Sequence, residues 1–206
     1  MEKNSFYVVR ESASWEQVIE KSRFIAIVYQ VSNVEGTAAC LRDVREEYPN
    51  ARHYVYAYRL REGLLEKSSD DGEPQGTGGK QIMEHLQHHE LWNVMIVVVR
   101  YFGGVLLGTG GLSRAYSGTV RGLLEKVHLE KVRQHLLYDL CIPYSWYEAL
   151  KYQLNLRFWT LDNERFTDLI KANVYVPSDE AKDFEKWLQD FASGQIELQL
   201  MEEVWR

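Results

Sequence analysis

The chain has 206 residues, 45% hydrophobic and 26% charged, with a formal net charge of −6. This is ordinary globular composition and excludes disordered and fibrous classes. Cys40 and Cys141 stand far apart, with no CxxC and no Cys/His zinc spacing, which excludes a disulfide scaffold and a zinc module.

No secretory pattern opens the sequence, and the longest aliphatic run stops at Arg100, far short of a membrane span. The expectation is a cytoplasmic protein with no membrane partner. Residues 1–138 carry 17 Lys+Arg and 17 Asp+Glu, whereas residues 139–206 carry 7 and 13. That division predicts two domains, 1–138 and 139–206, the first neutral and the second acidic. An acidic surface repels phosphate backbones, while a neutral one binds them if its arginines gather on one face.

In chain order, residues 5–9 and 23–31 are rich in Val, Ile, Phe and Tyr and read as strands. Residues 34–48 read as a helix. Ser32 or Asn33 caps its start, Ala38, Leu41 and Val44 share a face, and Pro49 stops it. Tyr54, Tyr56 and Tyr58 alternate with Val55, Ala57 and Arg59, a strand with two distinct faces. Residues 62–79 read as a glycine-rich loop, 81–89 as a short helix, and 94–101 as a strand buried on both faces. A glycine-rich turn at 103–111 leads into a helix over 112–127.

Beyond residue 139 the pattern is strand (140–144), helix (Tyr147, Leu150, Leu154), strands at 158–166 and 169–176, a helix capped by Ser178 or Asp179, and a last strand through Ile196, Leu198 and Leu200. This β-α-β-β-α-β order is the ferredoxin-like pattern.

Two strings carry candidate chemistry. Gly76–Lys80 is GTGGK and Gly108–Leu112 is GTGGL, and each leads into a helix. Helix-leading glycines bring free N–H groups and the positive dipole end toward an anion. The candidate phosphate ligands are Gly76, Gly78, Gly79 and Lys80 in the first turn. In and around the second they are Arg100, Tyr101, Gly103, Gly104, Gly108, Gly110, Gly111 and Arg114. The competing reading is that these glycines only let a helix cross a strand closely. Neither turn matches a Rossmann or Walker A loop. Asp70, Asp71 and Glu73 are candidates for a metal or for general bases, or are simply turn residues. His85, His88 and His89 lie at i, i+3 and i+4 and are read as a helix face rather than a metal site.

Together the strings Ser22-Arg23-Phe24-Ile25-Ala26, Ala57-Tyr58-Arg59, Asp70-Asp71-Gly72-Glu73-Pro74, Arg100-Tyr101-Phe102-Gly103-Gly104 and Gly110-Gly111-Leu112 with Arg114-Ala115-Tyr116 resemble the YigZ/IMPACT family. The resemblance implies an α+β protein of two domains. The first is like the second domain of a small-subunit ribosomal protein, and the second is ferredoxin-like, similar to the last domain of the translocation elongation factor. It implies a translation or nucleic-acid association and no established catalytic residues.

The expectation is therefore a non-catalytic, translation-associated protein that needs no cofactor. It would contact RNA or the ribosome through Arg23, Arg52, Arg59, Arg100, Arg114, Lys80 and the glycine turns. One alternative is an enzyme or binding protein for a small phosphorylated ligand at the two turns. The other is a protein-interaction module whose partner docks on the C-terminal domain.

Overall fold

Alternation at a period of two builds the first sheet. In β3 (Ser22–Gln30), Phe24, Ala26 and Val28 face one side and Ile25 and Ile27 the other. In β6 (Val94–Tyr101), Val94, Ile96 and Val98 oppose Met95, Val97 and Val99. A strand apolar on both faces needs cover on both. One face is covered by α2 (Gly79–His88) and α3 (Gly108–Leu124), through Ile82, Leu86, Leu112, Tyr116, Val120 and Leu123. The other is covered by α1 (Val34–Glu47), through Val44, Leu41 and Cys40. The side chain of Asn33 caps α1 by accepting from the Gly36 amide at 2.8 Å, one of the two caps expected.

The computed structural model describes residues 4–206. With β2 (Ala13–Ile19), β4 (His53–Leu60) and β5 (Leu65–Ser69), the first sheet has the order β2-β3-β6-β4-β5, antiparallel throughout. Two of these strands depart from the sequence expectation. β2 was not expected at all, and β5, preceded by a single 3₁₀ turn at Glu62–Leu64, occupies part of the region read as loop. Both are edge strands with exposed outer residues, so neither carries a continuous apolar signal. α3 starts at Gly108, inside the segment read as turn.

The second unit follows β7 (Leu129–Ile142), α4 (Tyr144–Leu156), β8 (Thr160–Phe166), β9 (Ile170–Pro177), α5 (Ala181–Ala192) and β10 (Glu197–Trp205). Its strands order β10-β7-β9-β8 with antiparallel neighbours, the ferredoxin-like split βαββαβ arrangement, and β1 (Ser5–Val9) also pairs with β7. Both helices pack on one face, where Leu150, Leu154, Phe184 and Leu188 meet Tyr138, Leu140, Ile142, Ile170, Ala172, Val174 and Val176.

The compact units divide between Lys131 and Val132, residues 4–5 going with the second, rather than at 138/139. β7 begins at Leu129 rather than near 140, because its first residues are too polar to announce a strand. Asp179 does not cap α5 but pairs with Arg133, and Glu180 stands at the cap position with its carboxylate turned to Trp159 Nε1 at 2.8 Å and to Arg133 rather than to a backbone amide of the helix. Among the described residues no helix is long and apolar enough to cross a membrane.

Candidate nucleic-acid interface

The turn before α2 is closed by its own carboxylates. Asp70 Oδ1 accepts from the amides of Gly78 and Gly79 at 2.9 and 2.8 Å, and Oδ2 accepts from Gly76 at 2.7 Å. The amides expected to hold a phosphate thus hold the protein's own anion at the α2 dipole. This corrects the expectation for Gly76, Gly78 and Gly79. A Cβ on Gly78 would come within 2.7 Å of Val55, and one on Gly79 within 2.8 Å of the Ser69 backbone, so both glycines serve close packing.

Asp71 Oδ2 accepts from the Tyr54 amide at 2.7 Å, and its carbonyl oxygen accepts from His53 Nδ1 at 2.7 Å. Glu73 Oε1 accepts from Arg100 Nη1 at 2.5 Å and Tyr116 Oη at 2.8 Å, with His53 Nε2 at 3.8 Å. Burial and the Glu73 carboxylate hold the Tyr116 phenol far above its ordinary range. The three acids expected as metal ligands or bases face three different sets of partners. Among the described residues no group of His, Cys, Asp and Glu is arranged to hold a metal.

The arginines divide into those engaged and those open. Arg23 is exposed but paired with Glu16 at 2.5 Å. Arg59 is buried, bonded to Glu66 at 2.8 Å and to the carbonyls of Leu86 and Leu91 at 3.2 and 3.0 Å, and stacked 3.9 Å over Trp92. Arg100 lies between Phe24 and Phe102, its Nε buried with no hydrogen-bond partner among the described residues. The structure therefore corrects the expected RNA role of Arg59 and Arg100: both heads are buried inside the fold. Arg52 is exposed, its amide donating to the Arg100 carbonyl at 2.8 Å. Tyr101 donates to the Pro49 carbonyl at 3.1 Å.

The second turn is different. Gly103 is a packing glycine, since a Cβ there would fall 2.0 Å from the Lys21 backbone. Beyond it the chain is open: Phe102 and Val105 are exposed, and Leu106 is 88% exposed. Leu107 at the cap of α3 makes no side-chain hydrogen bond, and Gly108, Thr109 and Gly110 are exposed. Gly111 is half-buried against Leu107. Arg114 Nη1 lies 3.4 Å from where a Cβ on Gly110 would stand, so its guanidinium overhangs this first turn.

From there a groove of about 370 Å³ runs between α2 and α3, lined by Gln81, Ser113, Arg114, Ser117, Gly118 and Arg121. His85 contacts Ser117 Oγ at 2.9 Å, and burial together with His89, His88 and Arg121 pushes its pKa down. Lys80 is exposed at the start of α2, 3.7 Å from Glu84. Arg121 was not singled out from the sequence. The signal was available, because seven residues after Arg114 is two helical turns on the same face.

The sequence comparisons agree with this architecture. The Impact N-terminal domain matches residues 20–124, and a domain of unknown function, DUF1949, matches residues 140–195. IMPACT family member YvyE of Bacillus subtilis is 30% identical over 95% of this chain and 90% of its own length. IMPACT family member YigZ of Escherichia coli is 34% identical over 90% and 92%. A crystal structure described as that of a hypothetical protein superimposes with a TM-score of 0.62 at 30% identity, covering 97% of this chain and 98% of that one. With its first domain matched by the family model and relatives aligned along nearly their full length, the chain belongs to the IMPACT family.

Proposed function

We propose that the Phe6–Lys131 unit holds an RNA backbone along the α2–α3 groove, as part of a cytoplasmic, translation-associated role. The observation that carries the reading is the pairing of Arg114 and Arg121 in one open groove, headed by the uncapped start of α3. Two guanidinium groups about two helical turns, or roughly 10 Å, apart along one face can each hold a phosphate of the same strand, and the serines and Gln81 add neutral hydrogen bonds. Nothing in the groove favours base-specific readout. The family's resemblance to ribosomal and elongation-factor domains supports the same direction. A small-ligand enzyme at the two turns is less favoured, since Asp70, Asp71 and Glu73 are already engaged by amides or cations.

The test is binding of the full chain to single-stranded RNA and to ribosomes across a salt series, for wild type and for Arg114→Gln and Arg121→Gln. Affinity that falls with salt, and a salt slope that shrinks in each variant, support the reading. Binding indifferent to salt, or unchanged in both variants, overturns it.

A further inference from the structure

The C-terminal sheet carries its helices on one face only, and the other face holds a second feature, independent of the RNA reading. Across the strands β10, β7, β9 and β8, register places Glu197 opposite Cys141, Cys141 opposite Lys171, and Lys171 opposite Arg165. The adjacent row sets Gln199 opposite Asp139, and Asp139 opposite Asn173. These residues line a cavity of about 610 Å³, a volume suited to a metabolite-sized molecule.

The charged lining is balanced, Asp139 and Glu197 against Arg165 and Lys171, and two observations set its positive end apart. First, Lys171 and Arg165 are like charges directly opposite each other on neighbouring strands, an arrangement that costs stability unless an anion sits between them. Among the described residues neither has an ion-pair partner. This occurs in the acidic C-terminal third of the chain, where carboxylates are plentiful. Second, the neighbouring row is fixed by its own hydrogen bonds. Asn173 Nδ2 donates to Asp139 Oδ1, and Asn163 Nδ2 donates to Asn173 Oδ1 at 2.9 Å. Asp139 is thereby turned toward Asn173. Asn163 sits at the β-bulge in β8, in the left-handed region at φ 54°.

We propose that this cavity is a binding site for a small anion, a phosphate or carboxylate head held between Arg165 and Lys171. The body of the ligand lies over Cys141 toward Glu197 and Gln199, which favour hydroxyl groups. Cys141 at the centre of the row reports occupancy.

The experiment measures alkylation of Cys141 by iodoacetamide, a neutral reagent, in full-length Cys40→Ser protein. It is run with and without ribose 5-phosphate, succinate, or a short single-stranded RNA. Saturable, several-fold slowing by ribose 5-phosphate or by succinate supports the site and identifies which head it takes. The double variant Arg165→Gln/Lys171→Gln should lose that protection, its apparent affinity falling roughly tenfold or more. Its melting temperature without ligand should be no lower than that of the parent, because the opposed charges are gone. Protection by neither small anion, protection by RNA alone, or protection that survives in the double variant overturns the proposal.

Discussion

Arg100 Nη1 and Glu73 Oε1 meet at 2.5 Å with side chains only 5% and 3% exposed, so the end of β6 is tied to the turn before α2 by a buried ion pair. Tyr116 donates to the same oxygen, which adds α3 to the junction. Removing one partner leaves the other charged and dry. Glu73→Ala should destabilise the protein by about 3–5 kcal/mol, read from the denaturant midpoint. Glu73→Gln/Arg100→Met should cost less than the sum of its single changes, because no uncompensated charge remains. Full additivity would show that the two groups do not act as a pair.

The Asp70 carboxylate occupies an amide cradle that would otherwise suit a phosphate. Asp70→Ala should cost about 1–2 kcal/mol, the usual scale for losing a helix cap. It should also create a site: inorganic phosphate should raise the melting temperature of Asp70→Ala more than that of wild type. Equal shifts in both proteins would show that the cradle collapses once its anion is removed.

Much of the fold was legible because it rests on local pattern. The two-faced apolar runs of β3 and β6, the Asn33 cap and the βαββαβ order could all be read directly. β2 could not, because its residues become a strand only by lying along β3, where Trp15 and Gln17 turn inward and Ser14 and Glu16 outward. The site was less legible for a similar reason. Whether an arginine is free depends on which carboxylate the register brings beside it. Arg59 is the direct cross-strand partner of Glu66, and Arg100 meets Glu73 only once the turn before α2 folds back over β6. Sequence spacing shows neither meeting, whereas Arg114 and Arg121 share a face by helical period alone.

Arg59 separates a structural cation from a functional one. Its flat guanidinium stacks on Trp92 while reaching a carboxylate and two carbonyls, a geometry that an ammonium cannot reproduce. Arg59→Lys should therefore lower stability by about 1–3 kcal/mol and leave the salt slope of RNA binding unchanged. A reduced slope at wild-type stability would return Arg59 to the interface.

The α2–α3 groove contains its own pH dependence. The His85 pKa lies below the ordinary value of about 6.5, chiefly through burial and then through His89, His88 and Arg121, and His89 is lowered as well. Between the depressed and ordinary values the unfolded chain binds more protons than the folded one. The stability these groups contribute is thus complete above about pH 6.5 and is lost as pH falls through the folded pKa. His85→Gln should flatten that acid limb in urea unfolding. Protonated His85 would also stand beside Arg121 and add a cation to the groove. RNA affinity of the wild type should then rise on acidification while its stability falls, and the rise should be absent in His85→Gln. Affinity that tracks pH identically in both proteins would mean that His85 does not face the bound backbone.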